Sequence, residues 1–156
     1  MPEECAIDTA FVTVIQQLSR RTRGREHVPP VEVVYYQGDD ETVPMKEWIE
    51  TLQSQPKHRA KCIEWIGLLR DHGHDDLRRP ISDYLRDRIH ELRPRFEKIQ
   101  YRMLYFFHGR GRAVITHGIT KQADRIPPKE IDRAVEMMRR YAEDADYHSH
   151  WEIDHE

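Results

Sequence analysis

Two cysteines in 156 residues is the first scarcity. Cys5 and Cys62 stand far apart and in no metal-ligand or redox spacing, so neither a disulfide framework nor a cysteine-based zinc module is expected. Free thiols in a reducing compartment are the reading that remains. Long apolar runs are missing as well. None approaches the roughly 18–20 residues of a membrane span, so no membrane role is expected. The N-terminus lacks a positively charged start followed by an apolar core, so no secretion signal is expected and the cytoplasm is the expected location. Internal repeats and long low-complexity tracts are absent too. Only 38% of residues are hydrophobic, which allows one domain with a modest core. A surplus of positive charge is also wanting. The formal net charge is −3, from 25 Lys and Arg against 28 Asp and Glu, which argues against a generally basic nucleic-acid binder.

What is present is charge of both signs, unevenly spread. Charged residues make up 34% of the chain. Between Arg78 and Arg125 stand twelve Lys or Arg against five Asp or Glu, a local excess of seven positive charges. From Glu143 to the end there are six acidic residues and no Lys or Arg. The middle is suited to a polyanion and the tail is not.

Periodicity supplies the elements. Ala10, Val14 and Leu18, with Phe11 and Ile15 beside them, predict a helix over residues 8–21, ending in the cluster Arg20, Arg21, Arg23 and Arg25. "VEVVYYQ" (31–37) predicts a strand between Pro30 and Gly38. Pro44 and Glu47 open one helix, and a second runs from Pro56 to about His72, where Gly73 stops it. The short break between them predicts a helical hairpin. Then the period changes to two. "RDRIHELR" (86–93), "EKIQYRMLYFFH" (97–108) and "RAVITHGIT" (112–120) predict three antiparallel strands, the last two joined by the turn "HGRG". "PPKEIDRAVEMMRRYAEDA" predicts a final helix with Ile131, Ala134, Val135, Met138 and Tyr141 on one face. The order implies an α+β fold: a small antiparallel-rich sheet with the helical hairpin and the C-terminal helix packed on one face, plus an N-terminal helical extension. The expected division is 1–30 for that extension, 31–142 for the folded domain, and 143–156 for an acidic, His-containing tail that is disordered or loosely docked.

Alternation then sorts side chains. Tyr101, Met103, Tyr105 and Phe107 share one parity and are expected under the helices; Arg102 has the other and is expected on an open face. If Leu92 points inward, Glu91 and Arg93 join Arg102. Two guanidiniums with one carboxylate make a phosphate site, or equally a cross-strand ion pair that stabilises an exposed sheet.

Four landmarks in order carry a resemblance: "ELR" (91–93), "YRMLYFF" (101–107), "THGITK" (116–121) and "PPKEIDRA" (127–134). Together they resemble the signature of HigB-like toxins in the RelE/ParE superfamily of toxin–antitoxin systems and phage-derived relatives, over about residues 31–142. The resemblance implies a RelE-like fold and a toxin neutralised by a cognate helix-turn-helix antitoxin. It implies a ribosome-dependent mRNA endonuclease (an mRNA interferase), or, as in the ParE branch, a non-catalytic inhibitor of DNA gyrase. A catalytically silent toxin-like binding protein is the third alternative.

Metal-independent RNA cleavage needs a base for the 2′-hydroxyl, charge stabilisation at phosphorus and help for the leaving 5′-oxygen. Arg102 is the candidate for charge stabilisation, with Arg93 in support. Glu91 or His117 is the candidate base, though a lone strand histidine is also an ordinary structural residue. Lys121 is the candidate for phosphate contact or leaving-group assistance. Arg86, Arg88, Lys98 and Arg125 are candidate RNA-backbone contacts. No metal and no cofactor are expected. The acidic tail offers one regulatory expectation, that it folds back across the basic sheet and masks it. His148, His150 and His155 are read as a polar tail and not as a metal site.

Overall fold

The computed structural model describes residues 31–73, 77–121 and 125–154, with Lys121 described by its backbone only. Cys5, the helix expected over residues 8–21, the arginine cluster after it, and His155 lie outside the described residues.

Strand β1 is Glu32–Tyr36, built from β-branched and aromatic residues. Helix α1 is Pro44–Glu50 and helix α2 is Pro56–His72, each with proline in its first turn, where the missing N–H costs nothing. Gly73 caps the end of α2.

Of the strand expected at 86–93 only β3 (Ile89–Leu92) is found; Arg86 instead ends a strand that was not expected, β2 (Ser82–Arg86), which pairs antiparallel with β3 as a hairpin. Its turn is Asp87–Arg88, and both residues take positive φ, 50° and 68°. Primed two-residue turns require that backbone, which normally recruits Asn, Asp or Gly followed by Gly; Asp87 suits the first position, but Arg88 stands where glycine is usual, so the turn gave no clear signal. The same device recurs between β4 (Arg95–Phe96) and β5 (Ile99–His108), where Glu97 and Lys98 have φ of 49° and 69°. The long strand therefore starts at Ile99, and Lys98 sits in a turn. Strand β6 is Arg112–Lys121, helix α3 is Pro128–Glu143, and β7 is Ser149–His150.

One seven-stranded sheet results, in the order β2-β3-β5-β6-β1-β7, with β4 also paired to β5. β1 runs parallel to β6, and the other pairings are antiparallel. One face packs on α1 and α2 through Val33, Tyr35, Leu92, Tyr101, Met103, Tyr105 and Ile115. The other packs on α3 through Val34, Tyr36, Ile89, Leu104, Phe106 and Val114, against Ile131, Ala134, Met137 and Tyr141. The α+β class and the RelE-like order stand, but the helices do not share one face. The central strands are apolar on both parities, so both faces need cover, and α3 supplies the second.

Strand β6 carries a bulge. Leu104 pairs with His117 and Tyr105 with Ile115, which leaves Thr116 over. Ala113 and Ile115 face the helical hairpin. Beyond the bulge the parity flips, so that Gly118 meets the Trp48 indole on that face and His117 faces α3.

The acidic tail is neither loose nor draped over the basic strands. β7 pairs with the outer edge of β1, so that Tyr35 lies opposite His150 and Tyr36 opposite Ser149. Asp154 accepts from Arg59 at 2.9 Å and from the Tyr35 hydroxyl at 3.3 Å. His148 stacks on Tyr36, and Trp151 lies beneath the Arg112 guanidinium at 4.7 Å. The tail caps the edge of the sheet farthest from β2 and β3 because the backbone groups of β7 complete the open hydrogen-bonding row of β1.

Candidate functional site

The registers fix a row across the α3 face. Asp83 on β2 pairs with Glu91 on β3, Glu91 with Leu104 on β5, and Leu104 with His117 on β6. Arg102 stands two residues along β5 from Leu104 and so shares its face. Leu92 pairs with Met103 on the opposite side, as the alternation required.

Two carboxylates facing each other across a strand pair repel unless cations intervene. Three arginines do so here. Arg93 Nη1 lies 3.4 Å from Glu91 Oε1 and 3.6 Å from Asp83 Oδ2, bridging the two. Arg79 holds Asp83 at 2.8 Å. Arg102 Nε lies 3.3 Å from Glu91 Oε2. The Arg102 guanidinium also donates to the Tyr101 carbonyl and to the Gln100 amide oxygen, both at 2.8 Å. Its Nε–H is buried and makes no hydrogen bond, since the Glu91 oxygen lies off its direction. Burial pushes the Arg102 pKa below that of an ordinary arginine, Glu91 opposes this, and Arg93 and Arg79 add to it.

The open face expected around these groups is not open at Arg102 and Glu91. Arg102 is 3% exposed and Glu91 4%. The cluster meets solvent through Arg93, whose side chain is 21% exposed, and through Arg79 and Asp83. A buried ion pair must be complete. Removing one partner strands the other charge at a cost of about 3–5 kcal/mol.

His117, four residues from the end of β6, is sealed by α3. Its Nε2 lies 2.7 Å from Glu130 Oε2, and its Nδ1 lies 3.0 Å from the Thr116 hydroxyl. Burial lowers the His117 pKa, the Arg133 charge lowers it further, and Glu130 only partly opposes them. The imidazole is thus a neutral, hydrogen-bonded tie between β6 and α3.

The remaining candidates are dispersed. Arg86 is engaged by Asp87 at 2.6 Å and by Asp132 of α3 at 2.7 Å, so its charge is compensated. Arg88 and Lys98 are exposed in their turns, and Arg125 is exposed just before α3. Lys121 ends β6 opposite Gln100. Glu91, Arg93 and Arg102 therefore converge, His117 lies on the same face with Leu104 between it and Glu91, and the other candidates stand apart.

Two members of the cluster, Arg79 and Asp83, carried no sequence signal. They enter only because Asp87–Arg88 folds β2 back beside β3. Glu130 was visible as an acid in the first turn of the last helix but not as a partner of His117. On the opposite face, a second polar chain runs from Glu97 through His58 to the Tyr101 hydroxyl, at 3.3 and 2.8 Å. Cys62, a free and buried thiol, is pushed up to about 12 by burial and is inert as a nucleophile. Among the described residues no group of three or more His, Cys, Asp or Glu is placed to hold a metal ion, and no helix is long and apolar enough to cross a membrane.

Residues 47–139, well over half of the chain, match the model of a family described as phage derived protein Gp49-like (DUF891). The matched span takes in β2 to β6 and most of α3, and with them the whole Arg79–Arg102 cluster. No curated protein matches the sequence.

Proposed function

The chain belongs to the phage-derived Gp49-like family, a RelE/HigB-like toxin family of toxin–antitoxin systems, and from that premise we propose that it is the toxin of a type II pair, a ribosome-dependent mRNA endonuclease neutralised by a helix-turn-helix antitoxin. The observation that carries this reading is the convergence of "ELR" and "YR". Motifs nine residues apart in sequence bring Arg93, Glu91 and Arg102 within 3.4 Å of one another in turn.

In this reading, the 2′-hydroxyl oxygen of one nucleotide attacks the adjacent phosphorus. The bond to the 5′-oxygen breaks, leaving a 2′,3′-cyclic phosphate and a 5′-hydroxyl. Arg93, the guanidinium of the cluster that reaches solvent, takes the non-bridging oxygens in bidentate fashion. Arg102 behind it stabilises the added charge and has one Nε–H donor without a hydrogen bond. Glu91 accepts the 2′-proton once a phosphate has drawn Arg93 from it. Lys121, outside the cluster but two residues along β6 from Ile119, the strand partner of Arg102, is assigned the return of a proton to the leaving oxygen. His117, tied to Glu130, positions α3 beside the site and takes no proton. Arg88, Lys98 and Arg125 track the backbone of the RNA. Arg86, held by two aspartates, is left out of that set.

A second reading has its own observation. The near-complete burial of Arg102 and Glu91 favours a toxin-like protein that acts by binding, as a gyrase inhibitor or a silent relative, with the ion pair serving the fold.

The test is induced expression of the wild type and Arg93→Ala, with mapping of mRNA 5′ ends. Arg93 is chosen because its side chain reaches solvent, so its loss leaves the Glu91–Arg102 pair intact. Growth arrest with discrete cuts in translated mRNA, both lost in Arg93→Ala, is the expected result. Growth arrest with intact mRNA and altered DNA supercoiling would replace the nuclease by the gyrase reading. No growth arrest at all would leave the silent one.

A further inference from the structure

The outer end of the β2–β3 hairpin carries an aromatic series that the Arg102 cluster does not use. Tyr84 lies opposite His90, and His90 opposite Tyr105. All three project on the face away from α3. Tyr105 is buried and shares a hydrogen bond with the Ser82 hydroxyl at 2.6 Å. The His90 ring stacks on it at 5.2 Å with an interplanar angle of 18°. Phe107 meets both rings edge-on, at 5.4 and 5.6 Å. Tyr84 meets His90 at 5.2 Å and 76°, and is itself 56% exposed. The rings rise like a staircase from the core to solvent, each held by the one beneath.

The top ring is oriented against the usual preference. The Tyr84 hydroxyl, which water would solvate best, is turned back to accept the Arg88 backbone N–H at 3.2 Å, and the apolar ring is left in water. That bond also ties the Asp87–Arg88 turn to the ring. Two arginines flank this end of the sheet. Arg88 is in the turn, and Arg110 is at the tip of the β5–β6 turn beyond Phe107. Both are exposed, and neither forms an ion pair with a carboxylate among the described residues. The nearest acid in sequence, Asp87, is already held by Arg86 at 2.6 Å. The corner thus joins a pre-ordered aromatic face to two guanidiniums that no carboxylate among the described residues pairs.

We propose that this corner, Tyr84 and His90 with Arg88 and Arg110, is a base-stacking surface for single-stranded RNA, separate from the Arg102 cluster and on the opposite face of the sheet. Unpaired bases supply π-faces to the rings and the phosphates between them meet the arginines. A duplex presents phosphates but hides its base faces. An acidic peptide would satisfy the charges but not the ring. The choice of RNA over DNA rests on the reading of the chain as an RNA-directed toxin. The stacking geometry does not.

The experiment measures binding of the full chain to a fluorescein-labelled single-stranded oligoadenylate, 2′-O-methylated so that it cannot be cleaved. An abasic strand of equal length and a duplex serve as comparisons. Tyr84→Ala is expected to weaken binding about tenfold, and Tyr84→Phe to retain it, because the ring and not the hydroxyl carries the contact. The abasic strand and the duplex are expected to bind at least about tenfold more weakly than the oligoadenylate. Replacing Arg88 and Arg110 together with alanine is expected to flatten the salt dependence by about 1.4 in the logarithmic slope. A thermal melt confirms the fold of each variant. Tyr84→Ala within about twofold of the wild type, an abasic strand that binds as well as the oligoadenylate, or a wild type that binds no single strand would each overturn the proposal. So would a loss confined to antitoxin affinity, which would make the corner a protein-docking surface. Mapping mRNA ends separates the two readings. Cuts in mRNA with Tyr84-independent binding sink this proposal alone, and Tyr84-dependent binding without cuts sinks the nuclease alone.

Discussion

Gly118 lies opposite Met103 with the Trp48 indole against it, and a Cβ at that position would come within 2.1 Å of the ring. The glycine of "THG" is therefore a packing residue: it lets α1 close on β6. Gly118→Ala is expected to cost about 1–3 kcal/mol through overpacking, read as a lower melting temperature; an unchanged melt would show that Trp48 moves freely. At Glu91 and Arg102 the cost comes from charge instead. Glu91→Ala strands a buried guanidinium and is expected to cost about 3–5 kcal/mol in a denaturant titration. The double variant Glu91→Leu with Arg102→Met removes both charges and is expected to recover most of that loss while abolishing any mRNA cleavage. If the double variant is as unstable as the single one, the buried pair is not what holds these strands. Arg102 was legible as a special residue because an arginine in a strand of alternating apolar residues has few explanations. Its burial was not legible, since alternation assigns a face and not what covers that face.

Among the elements, α3 matters most to the site. It covers the second face of the sheet and is tied to β6 through His117 and Glu130, at 2.7 Å. A histidine whose pKa is lowered in the fold binds fewer protons there than in the unfolded chain. Its stabilising contribution is full above the unfolded value of about 6.5 and is lost as pH falls through the lower folded value. Acidification from about pH 7 to about pH 5 is therefore expected to lower the melting temperature, and His117→Gln to flatten that slope. Equal slopes in the two proteins would remove His117 as the cause. The sequence could not place this residue. Counted in simple alternation from Ala113 and Ile115, His117 falls on the helical-hairpin face. The bulge at Thr116 moves it to the other. The hidden turns at Asp87–Arg88 and Glu97–Lys98 belong to the same class of feature. Each puts ordinary side chains at positive φ, at roughly 1–2 kcal/mol per residue, and the strand pairings on either side offset that cost.

For the whole molecule, the C-terminal segment decides which sheet edge is open. β7 covers β1, so β2 is the outer strand at the other end. Deleting residues 144–156 removes at least four hydrogen bonds, two between His148 and the backbone N–H and C=O of Gln37 and two that Asp154 accepts from Arg59 and Tyr35. At about 1 kcal/mol each, a loss of roughly 4 kcal/mol is expected in a denaturant titration, with concentration-dependent association through the freed β1 edge seen by size exclusion. RNA binding is expected to be unchanged, since the tail lies across the sheet from the Arg102 cluster. A gain in RNA binding on deletion would restore the tail as a mask.

The sequence by itself determined the α+β class, the two proline-opened helices, the final helix, and the common parity of Glu91 and Arg93; that Arg102 shares their face followed once Leu92 was found to point inward. These follow from period, capping and parity, which act over a few residues along the chain. Only the tertiary structure decided that α3 lies on that same face, that Arg79 and Asp83 complete the cluster, that His117 turns toward α3, and that the acidic tail becomes a strand. Those outcomes depend on bulges, left-handed turns and edge pairing, where residues distant in sequence compete for one surface and no local pattern records the winner.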